Sequence, residues 1–233
     1  MVIISDENIG RYKPYVTYGL IATNLLCWLV IQRIGMDGIY QNSLCSYGLI
    51  SGDLLGLINP IRLNIDGYLC YVDGITNLET LISHMFMHGS WTHILLNMLM
   101  LWVLGDNIEA TFGRVRYILF YFICGLVAAA FQVSSDPTTV VPMVGASGAI
   151  SGIIGAYLIL YPRNRLIFLL IVIPISAPAW VILGGWFLLQ LFLVFSGTSP
   201  EIALWAHIGG FVCGLLLVTL LKRRIRTRLD HKT

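Results

Sequence analysis

Charged residues are scarce in this chain, and their scarcity limits the kinds of protein that it can be. Asp, Glu, Lys and Arg make up 11% of its 233 residues, whereas hydrophobic residues make up 57%. A soluble domain typically carries about 25% charged residues. Several uncharged runs also approach the roughly 20 apolar residues that cross a bilayer. The sequence therefore predicts an integral membrane protein, and it contains no basic patch for a nucleic acid.

The five cysteines lack the close pairing of metal sites and redox motifs. No CxxC pattern occurs, and Cys27, Cys124 and Cys213 lie within apolar runs, where we interpret them as small apolar residues. Cys45 and Cys70 share the one long polar segment, residues 35–81. A disulfide between them would need an oxidising compartment on that side of the membrane, and the sequence leaves this pairing open.

The start of the chain also lacks the pattern of a cleavable signal peptide, which has a basic start, a short apolar core and a small-residue cleavage site. We therefore expect the first span to serve as its own anchor. The predicted spans cover about residues 15–34, 84–104, 115–133, 147–161, 179–195 and 202–221. The predicted fold is an all-α membrane protein with one six-span domain over residues 1–233. Residues 35–81 form its outer loop, without assigned secondary structure, and residues 222–233 its basic tail.

One apolar run, residues 166–195, is longer than a single span needs. Pro174 and Pro178 interrupt it, and proline ends or kinks a helix. We therefore expect a short buried or interfacial lead-in over residues 166–178, followed by the fifth span.

The distribution of positive charge predicts the side of each loop, because short cytoplasmic loops hold the excess of Lys and Arg. With six spans, Arg33 and Arg62 lie on one side, and the rest of the 14 Lys and Arg residues lie on the other. Both termini are therefore predicted to be cytoplasmic, and a prokaryotic cytoplasmic membrane is the expected location. The amino ends of the second, fourth and sixth spans then share the outer side.

The fourth span opens on a run of small residues, VGASGAISGIIGA at positions 144–156. Residues at four-residue spacing share a helix face, so Ser147, Ser151 and Gly155 form a stripe with little bulk. Such a face permits close packing of membrane helices. It also leaves Ser147 near a helix end, where a serine can act as a nucleophile if a base lies nearby. The run alone does not decide between packing and chemistry.

A histidine is the commonest base for a serine nucleophile. Outside the tail the candidates are His84, His88, His93 and His207. His207 lies about two turns into the predicted last span, and Gly210 and Gly214 after it favour close packing on the Ser147 helix. A hydrogen bond that only joins two helices is the alternative. Because no Asp or Glu lies deep in a predicted span, the sequence favours a Ser-His dyad over a triad.

Acyl transfer also needs donors for the developing oxyanion. His93 and Asn97 are four residues apart, so they share a helix face and both carry donor groups. Joining helices by hydrogen bonds is their alternative role. A zinc site is disfavoured, because His88 and His93 are five residues apart and no HExxH pattern or carboxylate completes a ligand set. We expect no metal or cofactor.

Three motifs on alternating spans resemble those of the rhomboid intramembrane serine proteases. They are His88-Gly-Ser-Trp-Thr-His93-Ile-Leu-Leu-Asn97, Gly145-Ala-Ser147-Gly148 and Ala206-His207-Ile-Gly-Gly210. The resemblance extends from the first span to the sixth. It implies a six-helix rhomboid-like bundle with Ser147 as the nucleophile and His207 as the general base. It also implies an oxyanion hole formed by His93, Asn97 and the Ser147 backbone N–H. The supporting residues that it implies are His88, Gly145, Gly148, Ser151, Gly210 and Gly214.

The chain departs from the family pattern at two places. Some rhomboids carry a tyrosine four residues after the serine, where its ring supports the histidine, but this chain has Ser151. Some members carry a Trp-Arg pair shortly before the second span, and here that stretch is Asn77-Leu-Glu-Thr80. Neither departure removes a catalytic atom, so the open question is how His207 is held.

The resemblance implies an intramembrane serine endopeptidase that hydrolyses peptide bonds in or near the transmembrane segments of other proteins. Its expected partners are transmembrane substrates and the lipid bilayer. An inactive relative that binds or escorts membrane proteins is the alternative, although Ser147 and His207 count against it. A small transporter would need a polar pathway, and no predicted span supplies charges for one.

Overall fold

The computed structural model describes residues 2–7, 12–65, 67–74, 76–170, 173–197 and 203–230. Within these ranges the chain is mostly helical, and it adds two small β-sheets to the predicted all-α fold. The α-helices are α1 (Tyr15–Leu26), α2 (Ile39–Tyr47), α3 (Ser51–Leu54), α4 (Thr80–Ser83), α5 (Trp91–Phe112), α6 (Arg114–Ser135), α7 (Ser147–Leu160), α8 (Ala179–Phe195) and α9 (Leu204–Asp230). The strands are β1 (Val2–Asp6), β2 (Ile61–Ile65), β3 (Tyr68–Val72), β4 (Arg165–Leu170) and β5 (Ile173–Pro178).

Apolar helices lie at all six positions where the sequence predicts spans. Among the described residues, α5 and α6 are long and apolar enough to cross a bilayer, at 22 residues each. The other four apolar segments are shorter: Tyr15–Ile31, Ser147–Leu160, Ala179–Phe195 and Leu204–Leu220. The first of them consists of α1 and a π-helical turn, Cys27–Ile31, that continues it.

Helix α7 is the most deeply buried of these helices, and it packs against α5, α6 and α9. Every residue from Gly148 to Tyr157 is buried. A Cβ atom on Gly210 of α9 would lie 2.0 Å from the Gly148 carbonyl oxygen, and one on Gly214 would lie 2.1 Å from that of Gly152. Only glycine permits this approach, so the predicted close packing of the last span on the fourth is confirmed.

The predicted end of the second span at residues 105–107 is wrong, because α5 continues to Phe112. The helix continues because polar residues after Gly105 form hydrogen bonds inside the protein. Glu109 is fully buried, and its carboxylate accepts hydrogen bonds from the backbone N–H of Thr17 at 2.8 Å and from the Thr17 hydroxyl at 2.9 Å. It also accepts the N–H of Val16 at 3.2 Å. These are free N–H groups of the first turn of α1, so α5 caps α1.

The outer segment, residues 35–81, holds α2, α3, the antiparallel β2–β3 hairpin and α4. Leu49 forms an isolated β-bridge with Met143, shortly before α7. Cys45 on α2 is disulfide-bonded, whereas Cys27, Cys124 and Cys213 are free. The sequence leaves a disulfide between Cys45 and Cys70 open, and the side chain of Cys70 on β3 lies outside the described residues.

The predicted lead-in to the fifth span is a β-hairpin of β4 and β5, and β1 completes an antiparallel sheet in the order β1-β4-β5. Pro174 and Pro178 lie on the edge strand β5, where the missing N–H is tolerated. The sheet brings the start of the chain to the same end of the bundle as the α7–α8 connection.

The basic tail predicts that the last helix stops at Lys222. Helix α9 instead continues to Asp230. Lysine and arginine are good helix formers, so a change from apolar to basic residues need not end a helix. The predicted start of this span at residue 202 and the tail residues 231–233 lie outside the described ranges.

Candidate active site

A glycine turn delivers Ser147 to the start of α7. Gly145 has a φ of +119°, which side-chain-bearing residues rarely adopt, and its N–H donates to the His84 carbonyl at 2.8 Å. Ala146 is fully buried. Ser147 therefore begins α7 at a fixed position, with its backbone N–H among the free groups of the first turn.

Ser147 and His207 form a hydrogen-bonded pair. The distance from Ser147 Oγ to His207 Nε2 is 3.0 Å, and both residues are half-buried. His207 is the fourth residue of α9, about one turn from the start of the helix, rather than two as predicted. The structure thus brings together the two residues that the sequence predicts as nucleophile and base.

The other ring nitrogen of His207 faces α8. Its Nδ1 lies 2.9 Å from Gln190 Oε1, and the Trp186 ring centroid lies 5.8 Å from that of His207. Neither contact was predicted from the sequence. A signal was present, because Gln190 is the only amide or charged side chain in α8, and such residues inside membrane helices usually have a task. Ser151 donates to the Ser147 carbonyl at 2.7 Å, and so its hydroxyl is engaged away from His207.

His93 lies near Ser147 across the glycine turn. A Cβ atom on Gly145 would lie 2.7 Å from His93 Nε2 and 3.6 Å from Ser147 Oγ. The N–H of Gly89 points to His93 Nδ1 at 3.3 Å, so Nδ1 accepts and the proton of the neutral ring resides on Nε2. His93 therefore directs a donor toward the space beside Ser147. Ser90 caps α5 by accepting the His93 N–H at 3.1 Å.

Asn97 lies one turn after His93 on α5 and carries an unused donor. Its side chain is 6% exposed, and its Nδ2 is buried without a hydrogen-bond partner among the described residues. Buried polar groups are nearly always paired, and an unpaired one requires an explanation. A donor kept free for charge that develops during a reaction is one such explanation.

His88, predicted as a supporting residue, contacts the His93 ring. It is fully buried, and its ring meets that of His93 edge-on at 5.1 Å. Gln32 holds its backbone at both ends: Oε1 accepts the His88 N–H at 2.9 Å, and Nε2 donates to the His88 carbonyl at 2.8 Å. His84 donates from Nδ1 to the Thr80 carbonyl at 2.7 Å.

A small cavity adjoins Ser147, with a volume of about 10 Å³, close to that of one water molecule. Its walls include His84, Gly145, Gly148 and Ala206. Within the described part of the chain, no three His, Cys, Asp or Glu side chains are grouped as a metal site.

These features define a class of helical protein in which apolar helices enclose a serine hydrogen-bonded to a histidine, with a second histidine near the serine. A family model described as the Rhomboid domain matches residues 76–224, and the chain belongs to the rhomboid family. It is therefore an integral membrane protein.

Similar proteins occur in yeast, plants and bacteria. "Rhomboid protein 1, mitochondrial" of Saccharomyces cerevisiae is 28% identical over 62% of this chain and 42% of its own length. "RHOMBOID-like protein 4" of Arabidopsis thaliana is 33% identical over 59% of this chain and 32% of its own length. "Putative rhomboid protease YdcA" of Bacillus subtilis is 30% identical over 65% of this chain and 74% of its own length.

The chain thus spans less than half the length of the yeast and Arabidopsis relatives. Because the relatives include mitochondrial and plant proteins, they do not support the predicted prokaryotic membrane in particular.

Proposed function

We propose that this protein is an intramembrane serine endopeptidase that hydrolyses peptide bonds in or near the transmembrane segments of other proteins. The observation that carries the proposal is the 3.0 Å hydrogen bond between Ser147 Oγ and His207 Nε2. A serine becomes a nucleophile when an adjacent base accepts its proton. Membership of a family with proteases among its members supports the same activity.

The proposed reaction proceeds in two halves. Ser147 Oγ attacks the substrate carbonyl while His207 Nε2 takes the hydroxyl proton, and His207 then donates this proton to the leaving amine. Water, activated by the same imidazole, hydrolyses the acyl-enzyme and regenerates Ser147. The chemistry needs no metal, because the imidazole moves the proton in both halves.

The developing oxyanion requires donors in place before the reaction. In the proposed oxyanion hole they are His93 Nε2–H, Asn97 Nδ2–H and the backbone N–H of Ser147. The first two are supported by the hydrogen bond that leaves the proton of His93 on Nε2 and by the unpaired Asn97 amide. The third lies in the first turn of α7, where backbone N–H groups have no partner within the helix and the positive end of the helix dipole favours negative charge.

The proposed topology has six membrane spans and cytoplasmic termini. It is supported by the six apolar segments and by the positive charges, which cluster on one side of the predicted spans. A reporter fused after Thr233 should behave as cytoplasmic. Exposure of that reporter on the outer face would contradict the topology.

The proposed substrates are transmembrane proteins whose helices unwind locally at the cut. An amide within a helix is shielded by its own hydrogen bonds, so Gly, Pro or small residues near the cleaved bond should favour cleavage. Entry of an unwound segment at the level of Ser147 would also bring it beside His93 and Asn97.

The test is cleavage by the purified protein, together with labelling by a serine-directed fluorophosphonate. Ser147→Ala should abolish both, and His207→Ala should be nearly as inactive, whereas Ser135→Ala on α6 removes a hydroxyl elsewhere and should retain both. Cleavage by the Ser147→Ala variant above background would refute the assignment. A folded wild-type protein that binds membrane proteins, but neither cleaves nor labels, would favour the inactive-relative alternative.

A further inference from the structure

The support for the His207 ring comes from an unexpected helix. The position that holds a tyrosine in some rhomboids is Ser151 in this chain, and its hydroxyl donates to the Ser147 carbonyl. The contacts to the imidazole come instead from α8, where Gln190 meets its Nδ1 edge and Trp186 lies near its face. These two residues are four apart, so they share one face of α8.

Gln190 is an unusual residue for its place in the sequence. It is the only amide in a helix that is otherwise apolar, and it is 6% exposed. Burying an amide without a hydrogen-bond partner costs free energy, so we expect Gln190 to have a partner among the buried groups. The described residues supply His207, at 2.9 Å.

The chemistry of this contact fixes the tautomer of the base. An amide oxygen can only accept a hydrogen bond, so the His207 nitrogen that faces Gln190 Oε1 carries the proton. In a neutral imidazole the other nitrogen, Nε2, then has a free lone pair, and this is the atom 3.0 Å from Ser147 Oγ. With the proton on Nε2 instead, the ring could not take the proton of Ser147.

We propose that Gln190 is a positioning residue, which holds His207 in the Nδ1–H tautomer and thereby prepares Nε2 to accept the proton of Ser147. This inference rests on the proposed function. A carboxylate holds the base in a serine protease triad, whereas the neutral amide here performs the same orientation without a charge in the membrane, where a charge is costly.

Helix α8 lies at the periphery of the bundle, and this position bears on how His207 is held. Of its 17 residues, those buried are Ala179, Ile182, Leu183 and Gln190. Helix α8 contacts α9 through Trp186, Gln190 and Phe187. The Phe187 ring stacks on that of Phe211, with the ring centroids 4.0 Å apart. The base is therefore held by a peripheral helix, and its tautomer depends on the seating of α8 against α9.

The test compares two substitutions of similar length. Gln190→Met removes the acceptor and should lower kcat by about 10- to 100-fold with little change in KM, since general base catalysis as a whole contributes about 10²- to 10⁴-fold. Gln190→Glu keeps an acceptor oxygen at the same place and should stay within about 10-fold of wild type. Leu188→Met, on the exposed side of α8, is the matched control and should behave as wild type.

A second readout does not depend on turnover. Selective ¹⁵N labelling of histidine shows by NMR which ring nitrogen carries the proton, and His207→Ala identifies the His207 signals. The wild type and Gln190→Glu should show the Nδ1–H form, and Gln190→Met should show a mixture of both tautomers. Retention of the pure Nδ1–H form in Gln190→Met would overturn the proposal.

The kinetic outcomes also separate this inference from the proposed function. If Gln190→Met has the wild-type kcat but a lower unfolding temperature, Gln190 only joins two helices and the inference is wrong. Equal losses in Gln190→Met and Gln190→Glu would overturn it as well. If the wild type shows no Ser147-dependent cleavage, the proposed function fails, while the NMR signals still decide whether Gln190 holds the His207 proton.

Discussion

Substituting Asn97 should lower activity and leave the fold intact, which is the reverse of what a residue that joins helices would do. Its Nδ2 group is buried and has no hydrogen-bond partner among the described residues, so it forms no bond there that would stabilise the resting protein. An unsatisfied buried donor costs about 1–3 kcal/mol. Asn97→Leu, which preserves much of the shape and removes the donor, should therefore unfold at the same temperature as wild type or at a higher one.

The same substitution should impair the chemical step. Removing one oxyanion donor typically costs about 3 kcal/mol of transition-state stabilisation, or roughly 100-fold in kcat. The loss should appear in kcat with little change in KM, because the charge exists only in the transition state. Activity should not vanish, since His93 and the Ser147 N–H remain as donors.

The assay measures kcat, KM and thermal unfolding on the same purified samples. Labelling of Ser147 by a fluorophosphonate should slow in parallel, because phosphonylation also develops charge on oxygen. Met98→Leu, at the next position of α5 and also buried, is a volume-conserving control that should cost less than about 1.5 kcal/mol and keep the wild-type kcat. A normal kcat in a destabilised Asn97→Leu protein would refute the reasoning and assign Asn97 to helix packing.

Three further substitutions test the glycine contacts and the buried carboxylate. Gly145→Ala places a methyl group 2.7 Å from His93 Nε2 in a backbone with positive φ, so labelling of Ser147 should slow by at least about 100-fold; a normal rate would contradict the proposed site. Gly210→Ala directs a methyl group at the Gly148 carbonyl, 2.0 Å away, and should destabilise the protein by about 3 kcal/mol or more. Gly184→Ala, with no atom within 4 Å, is its control and should stabilise α8 by up to about 1 kcal/mol; similar unfolding temperatures for the two variants would refute the packing. Glu109→Ala leaves the first-turn N–H groups of α1 unpaired and should lower stability by about 2–5 kcal/mol, as denaturant unfolding would measure; a loss below 1 kcal/mol would show that water replaces the carboxylate.

The helices were predictable from the sequence because their determinants are local. An uncharged run of sufficient length favours an apolar helix, and α7, at Ser147–Leu160, ends within one residue of the predicted span 147–161. The glycine contacts were predictable for a similar reason. Gly210 and Gly214 leave a face without bulk, and a matching face on α7 was visible in the same sequence.

Three of the missed features depend on partners that are distant in the sequence. Strand β1 pairs with β4, where Val2 lies opposite Leu169, and no local sequence pattern predicts this pairing. Helix α5 continues past the predicted stop because the Glu109 carboxylate accepts a hydrogen bond from Thr17, 92 residues away in the sequence. The support of His207 comes from Gln190 rather than from the α7 position that the family pattern points to. In each case the tertiary fold decides which residues meet.

The sequence offered packing and chemistry as alternatives for the small residues of α7, but in the structure one depends on the other. Gly148 follows Ser147 directly, and Gly210 lies three residues after His207. Where these glycines meet, α7 and α9 approach so closely that a Cβ atom would lie 2.0 Å from a backbone oxygen. The contact between Ser147 Oγ and His207 Nε2, at 3.0 Å, lies within one helical turn of that approach. A bulkier residue at Gly210 would separate the helices and lengthen this hydrogen bond, so the packing of Gly210 on the Gly148 backbone sets the distance over which the serine proton would move.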